Sequence, residues 1–559
     1  MSDPRRSQSK ASFQSIGEYS RYPLRPNSRN SRVVSSHTRL GGGEGLQACK
    51  ASDISSNFDN EDPERGFSPY HEGGGMAIEF PTIDEKEDDD ALHNPDVNEK
   101  FRPSYKRVAI AIFSCVTFIF GLFMLFIVWP VLMYGGYGLF EDEYGKGGPL
   151  SEEPLGGSDH PLLRNVRSSL IDPDTPKSAF TRDSVFGKGK LKLVFSDEFN
   201  KDGRTFYEGG DPFWQAVDLR YAVTQDLEWY DPDAVTTKDG TLQLRLDAFK
   251  NHDLNYRSGM IQSWNKLCFK GGVLEVSASL PGPPGVLGLW SGIWTLGNIA
   301  RPGYRATAEG VWPYSYNECD LGITPNQSSF DGISYLPGQK LASCVCEGED
   351  HPNPGTGRGA PEIDVLEATA DGELNLGVVT QSNQVAPFDI GYKPNYDYLT
   401  INNPNVTKMN GWSGGPYQQT ISGRLMKFGL MCTYQKYSFE YIPGGEDGAI
   451  AWFVGDEETF RVLGHAVGPN GNIGQREVSR EPMSIVLNLG ISPSWRVTMY
   501  IDYVRVYQEE DKESINCDPP GYPTTDYIEK HLNAYTNFNF TAWEDTGYPW
   551  PKNKLMHGC

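Results

Sequence analysis

Beyond residue 190 the sequence repeats one pattern. Short stretches in which apolar and polar residues alternate are separated by Gly, Pro and Asn. "DGTLQLRLDAF" (239–249) is a turn followed by Leu242, Leu244 and Leu246 on one face. The same period recurs in "LKLVFSDEFN", "GGVLEVSASLPG", "ELNLGVVTQS", "YSFEYIPGG", "AIAWFVG", "MSIVLNLG" and "MYIDYVRVYQ". Side chains alternate faces on a strand, and no long segment here carries the 3.6-residue period of a helix. The pattern predicts an all-β chain built as an antiparallel β-sandwich with long loop insertions, not an α/β fold. The stretch Asn298–Gly359, rich in Pro, Gly, Tyr and Cys, is the main expected insertion.

One segment breaks the pattern. Val108–Met133 carries no charge, and its part up to Val128 would span about 32 Å as a helix, enough for a hydrocarbon core of about 30 Å. Trp129 and Tyr134 fall at the interface, and Pro130 marks the helix end. Lys100, Arg102, Lys106 and Arg107 precede the run, whereas Glu141, Asp142 and Glu143 follow it. The charge asymmetry places the N-terminus in the cytosol and the larger C-terminal part in the lumen or outside. The expectation is a single-pass type II membrane protein. Three N-x-[S/T] acceptors, Asn326, Asn405 and Asn539, all fall on the lumenal side.

The expected organisation is a disordered cytosolic tail (1–107), a membrane anchor (108–133), a lumenal stalk (134–190), a β domain (191–510) and an extended C-terminal segment (511–559) packed on it through its aromatics. The tail is Ser-, Gly- and Asn-rich and too poor in apolar clusters to offset the entropy of ordering. Seven of the nine cysteines (Cys268, Cys319, Cys344, Cys346, Cys432, Cys517 and Cys559) lie beyond the anchor, where an oxidising compartment favours disulfides. Seven is odd, so at least one is free or pairs between chains. A net charge of −23 disfavours nucleic acid, which calls for basic clusters, and leaves neutral ligands such as sugars. No metal-ligand spacing appears, and no cofactor is required. A structural calcium ion held by loop oxygens would leave little trace in the sequence.

The chemistry concentrates in "GAPEIDVLEA" (359–368), where Glu362, Asp364 and Glu367 are spaced two and then three apart. On a regular strand the third acid would point away from the first two. A bulge near Val365 or Leu366 would return it to their face, with the outer Cα atoms about 13 Å apart. Glycosidic cleavage with retention needs two carboxyl groups about 5–5.5 Å apart, one to attack and one to protonate the leaving oxygen. Glutamates leaning inward on a concave strand could meet that distance. Three acids so close cannot all ionise easily, so at least one is pushed toward its neutral form. A solvated acidic strand is the plain alternative, but Ile363, Val365 and Leu366 are suited to burial.

"EIDVLE" resembles the bulged acid signature of glycoside hydrolase family 16. The resemblance extends to "LVFSDEFN", "RSGMIQSWNKLCFKGGVLEVSASLPG", "GLWSGIWTLGN" and "MYIDYVRVYQ", covering roughly Leu191 to Gln508. It implies a curved β-jelly roll with a glucan cleft on its concave face. Glu362 would be the nucleophile, Asp364 its assistant and Glu367 the general acid/base. Trp290 and Trp294 match the cleft aromatics, with Trp229, Tyr230, Arg257 and Asn488 as further substrate contacts. Where many relatives carry a histidine this chain has "GVVTQSNQVAPFD", so Gln381 or Gln384 would occupy that subsite. The anchor, the Cys-bearing insertion and "GWSGGPYQQTIS" resemble the fungal type II membrane proteins associated with β-1,6-glucan synthesis. That resemblance implies a β-glucan-active glycosidase or transglycosylase in cell-wall building. A glucan-binding assembly factor without turnover and a glycoprotein-glycan processing or folding factor are the competing expectations.

Overall fold

The structure is a computed structural model. It describes Met124 and residues 167–559 apart from 168, 188, 283–287, 326–335, 372–375, 390–391, 416–417, 428–432, 472 and 492–496. The expected tail, the stalk up to residue 166 and, apart from Met124, the anchor fall outside those residues, as do Asn326 and Cys432. Among the described residues no helix is long and apolar enough to cross a membrane.

Two sheets pack face to face. The alternation read in the sequence explains why: Leu242, Leu244 and Leu246 are buried whereas Arg245 is exposed. One sheet runs through Leu399–Ile401, Glu457–Leu463, Ala449–Val454, Gln435–Ile442, Gly272–Ser279, Val497–Gln508, Thr241–Asn251, Leu254–Ser258 and Glu228–Tyr230. The other runs through Thr407–Met409, Gln418–Lys427, Leu376–Gln384, Glu362–Asp371, Leu289–Gly297, Met483–Ile491, Met260–Gln262 and Gln215–Ala216. Ile293, Ile363, Val379, Ile421, Ile485 and Leu487 of the second sheet meet Leu274, Phe439, Ile450, Trp452, Ile501 and Val504 of the first in one core. Burying such side chains contributes about 1.5–3 kcal/mol each, which fixes the strand registers. Pairing is antiparallel except between Glu228–Tyr230 and Leu254–Ser258, which run parallel.

Two features differ from the sequence reading. The folded body starts before Leu191. Thr181–Asp183 pairs with Lys190–Asp197, and the Arg167 guanidinium lies 5.0 Å over the Phe213 ring and 5.5 Å over Phe195. Leu170 packs against the main core and Ile171 against a smaller one, so the last part of the expected stalk has apolar anchors. The C-terminal segment is not extended. It forms short helices at Thr525–Lys530, Leu532–Thr536 and Lys554–His557. It packs through Tyr527, Ile528, Tyr535 and Trp543 against Trp264, Ile299, Val311 and Leu341. Helices this short are marginal alone and are held here by that packing. The expected disulfides are present, as Cys268–Cys517, Cys319–Cys344 and Cys346–Cys559. Two of the three join the C-terminal segment to the body.

Candidate active site

The acid strand, Glu362–Asp371, lies between Leu289–Gly297 and Leu376–Gln384. Its register slips within the acid triplet. On one side Asp364 pairs with Ser382 and Glu367 with Thr380, so Val365 and Leu366 together stand opposite Gln381. On the other side Asp364 pairs with Trp294 and Leu366 with Ile293. This is a β-bulge, with Val365 and Leu366 both in the core. The extra residue turns Glu367 to the face that carries Glu362 and Asp364.

A bulge breaks the ladder and leaves carbonyls to be satisfied. Two side chains from the core do this. The indole N–H of Trp452, on the facing sheet, donates to the carbonyl of Asp364 at 2.8 Å. Gln381 Nε2 donates to the carbonyls of Val365 and Phe453, both at 3.3 Å, and its own Oε1 accepts from Thr459 Oγ1. Gln381 is fully buried on the inner face. Its expected place in a sugar subsite is therefore corrected: alternation puts Ser382 and Gln384 on the acid face and Gln381 behind it.

On the acid face the carboxyl groups share donors. Ser382 Oγ lies 2.7 Å from Asp364 Oδ2 and 3.4 Å from Glu367 Oε2. Gln384 Nε2 donates to Asp364 Oδ2 at 3.2 Å, and Gln418 Nε2 donates to Gln384 Oε1 at 2.8 Å. Trp290 donates to Glu367. Trp312, from the insertion, donates its indole N–H to Glu362 Oε2 at 2.7 Å. Asp364 is buried, while Glu362 and Glu367 are partly open.

Burial, and then the charge of Glu367, pushes Glu362 up to about 8, against the donors Trp312 and Asp364. Burial, and then Asp364, pushes Glu367 up to about 8, against Ser382 and Trp290. Asp364 is pushed well above the carboxylate range, first by burial and then by Glu362. A neutral Asp364 can donate to Glu362, and that bond favours the Glu362 carboxylate. The three titrate as one coupled set.

The remaining sequence candidates fall into two groups. Trp290, Trp294 and Asn488 flank the acids. Trp294 Nε1 donates to Asn488 Oδ1 at 2.9 Å, and Asn488 Nδ2 donates to the Tyr230 hydroxyl at 3.1 Å. Gly292 sits between the two tryptophans because a Cβ there would lie 2.4 Å from Asn488 Oδ1 and 3.1 Å from the Trp294 ring. Tyr230 is fully buried, with its hydroxyl 3.3 Å from Asp226 Oδ2. It supports Asn488 from beneath, which corrects its expected role as a direct sugar contact. Trp229 stacks on His252 at 4.1 Å and bonds Asp218, away from the carboxyl groups. Arg257 is also corrected: it is held by Asp247 at 3.0 Å under Phe249, on a strand of the other sheet.

Sequence reasoning missed Trp312, Ser382 and the pair Asp226 and Glu228. Glu228 is pushed up to about 8 by burial and by Asp226. Ser382 was within reach of period-2 counting from Gln384. Nothing local marks Trp312, whose contact spans fifty residues. The acceptors Asn405 and Asn539 are exposed. Among the described residues, no group of three or more His, Cys, Asp or Glu is arranged to hold a metal ion.

Paired glutamates around an aspartate, on a β-sandwich face bordered by tryptophans, are the groups that retaining glycosidic cleavage calls on. The chain matches the family described as "Beta-glucan synthesis-associated protein SKN1/KRE6/Sbg1" over residues 80–559. It belongs to that family. It is 49% identical to the β-glucan synthesis-associated protein KRE6 of Saccharomyces cerevisiae, with 99% of this chain and 79% of that protein covered. It is 51% identical to the SKN1 protein of Candida albicans, covering 88% and 69%. Among solved structures, it is similar to a non-specific endo-β-1,3(4)-glucanase of family GH16, at 16% identity and a TM-score of 0.35 over 57% of this chain and 95% of that one. A laminarinase catalytic domain from Thermotoga petrophila has 17% identity and a TM-score of 0.35, covering 57% and 99%.

Proposed function

We propose that this protein is a membrane-anchored, retaining glycosidase or transglycosylase acting on β-glucan during fungal cell-wall β-1,6-glucan synthesis. The observation that carries the reading is the bulge: it gathers Glu362, Asp364 and Glu367 on one face, with Asp364 between two glutamates in distinct donor environments. In the reaction the Glu362 carboxylate forms a bond to the anomeric carbon as the glycosidic C–O bond breaks. Glu367 gives its proton to the departing oxygen. Glu367 then takes a proton from water, for hydrolysis, or from a sugar hydroxyl, for transfer, as that oxygen displaces Glu362. Asp364 orients Glu362 through their hydrogen bond, and the faces of Trp290 and Trp294 suit the apolar CH faces of glucose rings.

A second reading is a glucan-binding assembly factor without turnover. It is favoured by the upward push on all three acids, since a neutral Glu362 cannot attack. The full chain in detergent, incubated with defined β-1,3- and β-1,6-linked oligosaccharides, separates the two. Redistributed chain lengths mean transfer, shortened chains mean hydrolysis, and both should vanish in Glu362→Gln. Saturable binding with unchanged oligosaccharides would establish the second reading instead.

A further inference from the structure

We propose that the C-terminal segment 511–559 is a working part of the site: it holds the insertion so that Trp312 stays on Glu362. The inference rests on the reading of Glu362 as nucleophile. Trp312 is a positioning residue, and the segment acts through it.

Among its described residues the insertion has little regular structure of its own, a four-residue helix at Arg305–Ala308 and a 3-10 turn at Leu321–Ile323. Its conformation must therefore come from what it packs on. Trp312 and Trp294 both pack against the cluster built from Val311, Ala360, Tyr527, Ile528, Tyr535 and Trp543. Around that cluster the polar ties are dense. Trp543 N donates to Glu309 Oε2 at 2.7 Å, three residues before Trp312. Tyr535 donates its hydroxyl to the Ile299 carbonyl at 2.7 Å, and its ring stacks on Trp264. Farther along, Cys346 N bonds the Lys552 carbonyl at 2.8 Å and Lys554 N bonds the Cys344 carbonyl at 3.0 Å. The Cys346–Cys559 disulfide closes this end. Both ends of the insertion are thus fastened to the segment, with Trp312 between.

At Glu362 the groups that matter are few. Asp364 and Glu367 come from its own strand, Trp312 from the insertion, and Tyr221 faces it from the loop before Glu228. Trp312 and Asp364 are the donors that favour the charged carboxylate. Loosening the segment should thus weaken the nucleophile through Trp312, and any loosening of Trp294, which shares the cluster, would appear in KM rather than in the acid limb.

The test uses the full chain in detergent, comparing wild type, Trp312→Phe, Cys346→Ser with Cys559→Ser, and all three changes together. Trp312→Phe keeps the ring and removes the donor. The acid limb of kcat/KM should move up by about half to one pH unit, the value of one hydrogen bond. The cysteine pair should move it in the same direction, and adding Trp312→Phe should move it no further. A second readout needs no turnover: the fall of the unfolding midpoint with rising pH should continue further above pH 8 in the same variants, because Glu362 would stay protonated to higher pH. A cysteine pair with wild-type pH response by both readouts overturns the proposal, as does a shift that adds to that of Trp312→Phe. If wild type turns over no glucan, the enzymatic reading fails, while the unfolding series still decides the role of the segment.

Discussion

The indole of Trp452 reaches across the sandwich and bonds the backbone carbonyl of Asp364, 88 residues away in sequence, at 2.8 Å. The site's geometry depends on that contact as much as on the acids. It satisfies a carbonyl at the bulge, and the bulge alone brings Glu367 to the face of Glu362.

Removing the donor should therefore damage both stability and chemistry. Trp452→Phe fills most of the volume but takes the indole donor from the buried Asp364 carbonyl, at a cost of about 1–3 kcal/mol. Urea unfolding should show that loss. Turnover should fall at least tenfold, with substrate affinity little changed.

Gln381 makes the complementary case. Gln381→Leu leaves the Val365 and Phe453 carbonyls without their amide donor, and the Thr459 hydroxyl loses an acceptor. A loss of about 1–3 kcal/mol is expected by denaturation. Gln384→Leu, on the acid face, should instead change activity more than stability.

The acids give stability a distinctive pH response. Glu362 and Glu367 titrate near 8 in the fold against about 4.5 in the unfolded chain, so the folded state binds more protons in between. Their contribution is fully present below about pH 4.5 and is lost as pH rises through 8. Replacing Glu367 by Gln removes the titration. Its unfolding midpoint, measured by calorimetry, should exceed wild type by more at pH 8 than at pH 5.

Asp364→Asn keeps the size of the side chain but changes its proton chemistry. The amide can still donate, but it can no longer share a proton with the two glutamates. A fall in kcat of about 10²-fold is expected, with KM within threefold of wild type.

Asn405 and Asn539 are exposed acceptors, on the Thr407–Met409 side of the sandwich and beside Phe538. If the body lies in the lumen, both carry glycans. Endoglycosidase treatment of the protein from cells should shift its gel mobility, and replacing both asparagines with Gln should remove most of the shift.

What the sequence disclosed followed from locality. Leu242, Leu244 and Leu246 announce their strand, and the two-then-three spacing of Glu362, Asp364 and Glu367 announces the bulge, because both are patterns within a few residues. Trp312 and Trp452 were hidden because their partners lie far away, and only the packing of two sheets and an insertion brings them together. Gln381 was misplaced for a different reason: a family correspondence suggested its position, whereas counting alternate residues from Asp364's partner Ser382 excludes it. Residues 167–190 read as stalk because the first clear strand pattern begins near Leu191, yet Leu170, Ile171 and Arg167 suffice to seat them.

The most direct measurement of the central claim is mass spectrometry of the full chain after reaction with an activated 2-deoxy-2-fluoro-β-glucoside, which slows release of a glycosyl-enzyme. One covalent adduct is expected, on the peptide carrying Glu362 and at that residue, absent from Glu362→Gln. An adduct on Glu367, or no adduct from a protein that binds the glucoside and turns over β-glucan, would contradict that claim.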